Sequence, residues 1–252
     1  MSWLVKVAVE VNTMKAILIR VGIDQSYGHW NAPCNPDSLD YVYVPIPQDR
    51  PNEKQYEKYY SNTSIPALQS FSNRNATSVK LPDHLHDKRM HLDPDFDHLT
   101  YGDTDNRGRR LLDFIEDDLV VFYSSLRSIH DDASLIYSLI GLYVIQSIDR
   151  VEDVPENKFD TNAHTRYLEN TSSDIIVRAK SNLSGRFEKY IPIGEFRNRS
   201  YRVKEDILEE WGGLSVKDGW IQRSVAPPLF LEPEKFMSWL KQRSPSLVAS
   251  NR

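Results

Sequence analysis

Two β-rich runs lie in the middle of the sequence: DLVVFYSSL, residues 118–126, and SLIYSLIGLYVIQSI, residues 134–148. Both are rich in β-branched and aromatic residues, which pack well on a pleated sheet. Gly141 interrupts the second run. Because the linker between them, residues 127–132, is short and polar, the two runs are predicted to pair as antiparallel strands.

Other strand-like and helix-like segments lie on either side of this pair. The predicted strands are residues 15–21, 41–47, 174–179 and 190–193, and the predicted helices are residues 53–60, 203–211 and 233–242. Residues 65–90 are rich in Ser, Asn and Pro and are predicted to be irregular surface. Because strands dominate the middle and helices the end, the sequence predicts a single α+β domain with a mixed, largely antiparallel curved sheet and C-terminal helices.

Length and composition indicate a globular chain. It has 252 residues, of which 40% are hydrophobic and 11% aromatic, enough to bury a sizeable core. Its 31 basic and 36 acidic residues give a net charge of −5, which favours solubility and does not by itself indicate nucleic-acid binding. Since Cys34 is its single cysteine, an internal disulfide and a Cys-rich zinc site are excluded.

The sequence carries no apolar run of the ~18 residues that a membrane span requires, and its N-terminus lacks a signal-peptide pattern. We therefore expect a cytoplasmic protein without a membrane partner. A strong strand begins only after Met14, so residues 1–13 are either an upstream extension or an edge strand. The predicted domain is residues 14–252.

A dense polar segment, HLDPDFDHLTYGD at residues 91–103, continues to Arg110. Nine acidic residues and three arginines lie between Asp93 and Asp118. Clustered carboxylates with a histidine can bind a divalent metal, or can divide the roles of acid and base. The competing interpretation is a solvated acidic loop held by the arginines. The spacing does not match a calcium-binding EF-hand.

Two further segments suit a nucleotide. Residues 162–166, NAHTR, follow a polar loop, and Asn, His and Arg can hydrogen-bond base edges or phosphates. From Arg178 to Lys204 there are eight basic and two acidic residues, with aromatic residues between them. This pattern suits phosphate contacts and base stacking, with Arg186 presented by a Ser-Gly-Arg turn. Scattered surface charge gives the same composition.

Several strings in this chain resemble one family. They are KAILIRVGID (15–24), HLDPDFDHLTYGD (91–103), DDLVVFYSSL (117–126), NAHTR (162–166) and LEEWGGLSVKD (208–218). Together they resemble the third type of nucleotide modification associated domain, from about Met14 to Leu240. The most specific part is HLDPDF followed by TYGD. The sequence has no Walker loop, dinucleotide glycine fingerprint or Gly-x-Ser-x-Gly elbow, so common nucleotide folds and α/β-hydrolases are disfavoured.

The resemblance implies a role in phage or prokaryotic systems, including phage defence, that modify DNA bases or act on modified ones. The expected partners are a nucleotide or DNA and other proteins of the same system. The cofactor stays open, with a divalent metal compatible with the acidic segment. Residues expected to act in catalysis are His91, Asp93, Asp95 and Asp103. Residues expected to bind substrate are Asp24, Tyr101, Arg107, Asn162, His164, Arg166 and Arg186.

A weaker resemblance concerns the central strands. Asp118 to Ser125 and Leu139 to Ile148 are similar to paired strands of PUA-like barrels, some of which bind modified bases. Asp117 stands where those barrels usually have glycine. This resemblance implies a barrel element and an alternative function, a non-catalytic module that recognises a modified base or nucleotide. The aromatic residues expected to stack on the base are Tyr27, Trp30, Tyr101 and Tyr123. A third hypothesis is an interaction protein that docks through its acidic segment.

Overall fold

Strands dominate the secondary structure. A computed structural model describes residues 13–130, 134–169, 173–222 and 226–252. Its strands are β1 (Ala16–Arg20), β2 (Pro33–Cys34), β3 (Ile46–Pro47), β4 (Met90–His91), β5 (Thr100–Asp103), β6 (Leu119–Ser128), β7 (Leu135–Arg150), β8 (Ile175–Ala179), β9 (Gly185–Pro192), β10 (Gly194–Arg197), β11 (Ser200–Val203) and β12 (Leu247–Val248). Its α-helices are α1 (Ser64–Arg74), α2 (Asp83–His86), α3 (Asp105–Leu111), α4 (Glu205–Glu210) and α5 (Pro233–Arg243). Short 3-10 turns lie at Lys54–Tyr56, Val151–Asp153, Glu156–Thr161 and Lys217–Gly219.

The predicted pairing of the two β-rich runs is confirmed. β6 and β7 run antiparallel, with Val121 opposite Leu142, and nearly all of β6 is buried. β1 lies on the other side of β6 and runs parallel to it, with Ile17 opposite Val120. Because these strands are covered on both faces, they read as continuous hydrophobic runs without a polar face.

One mixed sheet of eight strands contains this pair. The order is β1-β6-β7-β8-β5, with β2 beside β6, β9 beside β7 and β12 beside β9. β7 pairs with β9 around Leu139 and then with β8 beyond Ile145, with register shifts in both ladders. Among the described residues the end strands β1 and β5 do not pair, so no closed barrel forms. The α+β prediction is confirmed, and the predicted PUA-like barrel element is not found.

The central strands separate two layers of apolar core, because successive side chains of a strand point to opposite faces. Val120 and Phe122 face one layer, which also contains apolar side chains from the loops around β4 and β5. Val121 and Tyr123 face the other layer, where α4 and α5 pack around the fully buried Trp211. Burying each large apolar side chain contributes about 1.5–3 kcal/mol, so both layers stabilise the sheet.

Two predicted C-terminal helices are present. α5 begins at Pro233, whose fixed φ suits a first helical turn, and it buries Phe236, Trp239 and Leu240 along one face. α4 is shorter than predicted. It ends before Gly212, which has a φ of +75°. Residues with a Cβ rarely adopt this backbone conformation.

Other parts of the sequence prediction are wrong. Residues 65–90 are not irregular throughout, because α1 buries Leu68 and Phe71 against the core and α2 buries Leu85. Residues 53–60 form only a 3-10 turn, and residues 41–47 contribute only the two-residue strand β3. The interpretations of residues 1–13 concern a segment of which only Thr13 lies within the described residues.

Candidate active site

Short strand pairs bring the predicted polar segments together. β4 pairs with β3 so that His91 lies opposite Ile46, and Gln48 follows two residues later. β5 pairs with β8, which places Gly102 opposite Ile176. The loop between β4 and β5 is closed by two backbone hydrogen bonds between Asp95 and Thr100, at 2.9 and 3.1 Å. The two-stranded sheet β3-β4 therefore fixes one end of the HLDPDFDHLTYGD segment, and the eight-stranded sheet fixes the other end through β5.

A cleft of about 790 Å³ opens between these segments, within the size range of small-molecule sites. Of the eleven site residues predicted from the sequence, seven line the cleft: Asp24, His91, Asp93, Tyr101, Asp103, Arg107 and His164. Asn162 lies behind this lining and donates from Nδ2 to Asp93 Oδ1 at 3.2 Å. Segments far apart in the sequence thus meet at one site.

Within the lining, His91, Asp93 and His164 form a group that we call the His–Asp–His cluster. The Nε2 atoms of His91 and His164 lie 3.8 and 3.6 Å from Asp93 Oδ2. One possible ligand atom from each residue lies within 4.8 Å of the other two. Three atoms that can bind a metal or carry a proton therefore converge on one point.

Each histidine ring of the cluster is anchored through its other nitrogen. His164 Nδ1 lies 2.9 Å from Asp174 Oδ1. His91 Nδ1 lies 2.9 Å from Gln48 Oε1 and 3.3 Å from the Tyr167 hydroxyl. Such contacts orient an imidazole and fix which nitrogen carries its proton.

Burial controls the protonation of the cluster. It raises the pKa of Asp93 to about 7, against the opposing effects of the nearby His164 and of the hydrogen bond from the Gly102 amide. Burial, together with the proximity of His164, lowers the pKa of His91 well below its ordinary value. His91 is therefore a neutral imidazole at neutral pH.

Elsewhere in the lining, carboxylates hold arginines. Arg107 Nη2 lies 2.9 Å from Asp103 Oδ2, which also accepts a hydrogen bond of 2.6 Å from the Tyr101 hydroxyl. Arg20 Nη2 lies 2.8 Å from Asp24 Oδ2. These contacts fix the directions of two guanidinium groups in the cleft.

A third arginine of the lining stacks on an aromatic ring. The guanidinium carbon of Arg50 lies 3.8 Å from the centre of the Tyr167 ring, in the range of a cation–π contact. Its Nη2 donates to the backbone oxygen of Glu169 at 2.7 Å. The cleft lining thus holds three guanidinium groups from separate segments of the chain, beside the carboxylates of four aspartates.

The segments that meet at this cleft also match a known family. Residues 15–223 match nucleotide modification associated domain 3. The chain belongs to this family. No curated protein and no solved structure matches it. Membership in the nucleotide modification associated domain 3 family links the chain to nucleotide modification. Within the described ranges, no helix is long and apolar enough to cross a membrane.

Besides Asn162, three predicted site residues lie outside the cleft lining and contact other protein groups: Asp95, Arg166 and Arg186. Asp95 is fully buried, with Oδ2 at 2.7 Å from Arg166 Nη2 and Oδ1 at 3.0 Å from Asn251 Nδ2. Arg186 donates from Nε to the Ser250 oxygen at 2.9 Å and also binds the Arg252 oxygen. The contact of Asp95 attaches Asn251 to the loop between β4 and β5, and those of Arg186 attach residues 250 and 252 to β9.

The basic region from Arg178 to Lys204 also lies outside the lining. Six of its eight basic residues bind carboxylates or backbone oxygens: Arg178, Lys180, Arg186, Lys189, Arg197 and Arg202. The positive charge in the cleft comes from Arg20, Arg50 and Arg107 instead.

Sequence reasoning missed several side chains of this site. Asp174 and Gln48 anchor the two histidines, but the sequence predicts only a strand that begins at Asp174 and no role for Gln48. The sequence predicts Arg20 only as a residue of the first strand and predicts no role for Arg50. Their one shared signal is a polar residue at or just past a strand end, where a side chain can turn out of the core.

Proposed function

We propose that this chain binds a nucleotide, free or within DNA, in the cleft and changes its base at the His–Asp–His cluster. One observation carries the proposal: in a nucleotide modification associated domain 3 protein, this cluster and three guanidinium groups line the same cleft. A phosphate and a reacting base can therefore be held side by side.

The guanidinium groups are suited to phosphate. Planar N–H donors in a fixed geometry bind phosphate oxygens in pairs, and Arg20 and Arg107 are already held in one direction by Asp24 and Asp103. We assign Asp103 the role of positioning Arg107.

Aromatic side chains suit the base. Tyr27 lines the cleft and is 57% exposed, so its aromatic ring is accessible to a ligand. A base that stacks on such a ring gains about 1–3 kcal/mol. Tyr101 and Tyr123 also line the cleft but are buried, so the exposed ring of Tyr27 is the one that also supports the alternative function, recognition of a modified base without chemistry.

Binding by the purified chain tests the first part of the proposal. Calorimetry with the four deoxynucleoside monophosphates and a short DNA duplex should detect at least one ligand. Arg107→Gln should weaken that binding about 10-fold, the loss expected for one charge-assisted contact. The matched control is Arg178→Gln, since Arg178 pairs with Asp149 outside the lining. Equal loss in both variants, or no binding at all, would contradict the proposed cleft.

Base chemistry is tested in the native host. Mass spectrometry of nucleosides from host or phage DNA should show an altered base that disappears when the protein carries Asp93→Asn. The variant should still bind the nucleotide, because its carboxamide keeps the shape of the side chain. If the altered base persists in Asp93→Asn, the cluster is not the reacting site, and the recognition module is favoured.

A further inference from the structure

The orientation of the cluster histidines is determined by their partners. Asp174 can only accept a hydrogen bond from His164 when it is ionised, so the proton of His164 lies on Nδ1. Gln48 donates its Nε2 to the Arg50 oxygen at 2.8 Å, which leaves its Oε1 to accept from His91 Nδ1. In the neutral form of each ring, Nε2 therefore presents a lone pair toward Asp93.

Asp93 presents a third electron pair to the same point. Its Oδ1 accepts from the Gly102 amide at 2.9 Å and from Asn162 Nδ2 at 3.2 Å, so Oδ2 is turned toward the imidazoles. The separations of 3.6 and 3.8 Å between Oδ2 and the two Nε2 atoms exceed hydrogen-bond length. When Asp93 is ionised and both rings are neutral, two lone pairs and a carboxylate oxygen face one another, an arrangement that a cation stabilises.

The spacing fits ligands of one ion after a small contraction. Nitrogen and oxygen ligands about 2.0–2.2 Å from a metal lie about 3.0–3.5 Å from each other. Here the three ligand atoms, one from each residue, lie within 4.8 Å of one another. The anchors on the far side of each ligand, Asp174, Gln48 and Asn162, are the outer contacts that metal-binding residues usually make.

We infer that His91, Asp93 and His164 bind a divalent first-row transition metal through His91 Nε2, His164 Nε2 and Asp93 Oδ2. Two imidazoles and one carboxylate suit Zn²⁺ or Fe²⁺, whereas Mg²⁺ and Ca²⁺ prefer sites made of oxygen alone. Three protein ligands leave coordination positions for a substrate or water. The inference deepens the proposed function, because it assigns a cofactor to the same site.

Metal binding is measured on the purified full chain without nucleotide. After treatment with a chelator, equilibrium dialysis against Zn²⁺ should give one ion per chain by elemental analysis. Titration with Co²⁺ should give visible absorption bands that an excess of Mg²⁺ does not remove. His164→Gln and Asp93→Asn should each abolish the bands at Co²⁺ concentrations that saturate the unmodified protein.

Two further variants separate ligation from loss of fold. His130→Gln is the matched control, because His130 is half-exposed and contacts only Asp37 among the ion pairs described. It should bind Zn²⁺ like the unmodified chain. Asp174→Asn keeps all three ligands and should weaken Zn²⁺ binding by about 10–100-fold, the usual effect of losing an outer partner.

The site is rejected if the unmodified chain binds less than one Zn²⁺, or if His130→Gln loses as much affinity as His164→Gln. Failure of this inference is distinguishable from failure of the proposed function, because nucleotide binding is measured separately. A chain that binds nucleotide but no metal contradicts only the metal site. A chain that binds metal but no nucleotide contradicts only the proposed function.

Discussion

The backbone amide of Gly102 donates to Asp93 Oδ1 at 2.9 Å, and the same glycine lies beside the ring of His164. A Cβ at position 102 would lie 2.4 Å from His164 Cδ2 and 2.8 Å from Asn162 Oδ1, closer than real Cβ contacts come. Strand β5 can therefore hold the carboxylate and leave room for the imidazole only when residue 102 has no side chain.

Gly102→Ala is predicted to displace His164 and Asn162 without removing a ligand. We expect Zn²⁺ or Co²⁺ affinity to fall by at least about 10-fold, comparable to the loss of an outer partner. The control is Gly213→Ala. Gly213 has a φ of +97°, which strains any other residue, and a Cβ there would contact Leu231, which is not part of the cluster. Gly213→Ala should lower the thermal midpoint and keep metal affinity. Unchanged metal affinity in Gly102→Ala would show that the close approach has no role.

Arg166 is predicted to act in stability. Its side chain is 1% exposed and pairs at 2.7 Å with Asp95, which is 0% exposed. Removing one partner of such a pair leaves a buried charge and typically costs about 3–5 kcal/mol. We expect this loss of unfolding free energy for Arg166→Ala in urea titrations.

Arg178→Ala provides the comparison for that prediction. Its partner Asp149 is 33% exposed, so solvent screens the pair and the loss should stay below about 1 kcal/mol. If Arg166→Ala unfolds like the unmodified chain but no longer binds nucleotide, the substrate-binding role expected from the sequence is favoured over the structural one.

The sequence predicted the centre of the fold because that centre depends on local hydrophobic patterning. β6 and β7 are β-rich runs with a short polar linker, and two such runs usually pair with each other as antiparallel strands. α1 was missed because its polar residues and Pro66 lower its helix propensity. Burial of Leu68 and Phe71 overrides that propensity, and burial is a property of the folded chain.

The site was only partly predictable for a related reason. Asp93 and Asp95 are two residues apart, and the sequence does not distinguish the roles of their carboxylates. The chain turns between them, so Asp93 lines the cleft while Asp95 points into the protein and meets Arg166. Charge counting failed for the basic region because its partners, such as Asp40 and Asp149, are distant in sequence. Only folding brings these pairs together.

His98 is predicted to make stability depend on pH. Its hydrogen bond to Asp95 raises its pKa above the ordinary 6.5, so the folded state binds the proton more tightly than the unfolded chain does. The contribution is fully present below about pH 6.5 and is lost as pH rises through the higher folded value.

The difference in unfolding free energy between the unmodified chain and His98→Gln should therefore be larger at pH 5.5 than at pH 8.5. The His98 side chain is 42% exposed, so solvent screening should keep the difference below about 1 kcal/mol. His84→Gln is the control, since the exposed His84 contacts the Gly28 backbone oxygen and no carboxylate among the described pairs. A difference that grows with pH would contradict the Asp95 contact.

Asn251 is predicted to fasten the end of the chain to the loop between β4 and β5. Its side chain accepts from the Phe96 amide at 2.8 Å and donates to Asp95 Oδ1 at 3.0 Å and Asp97 Oδ2 at 2.7 Å. Asn251→Ala leaves the buried Phe96 amide and Asp95 oxygen without these partners, at a cost of about 1–3 kcal/mol. Chemical unfolding should show this loss.

Arg252→Ala is the matched control, because the exposed Arg252 side chain contacts only the Asn62 oxygen among the hydrogen bonds described. Its unfolding free energy should change by less than about 0.5 kcal/mol, as is usual for surface positions. Zn²⁺ affinity should be unchanged in both variants, because Asn251 contacts Asp95 and Asp97 and not the His–Asp–His cluster. If Asn251→Ala lowers Zn²⁺ affinity while its stability holds, the end of the chain acts on the cluster directly.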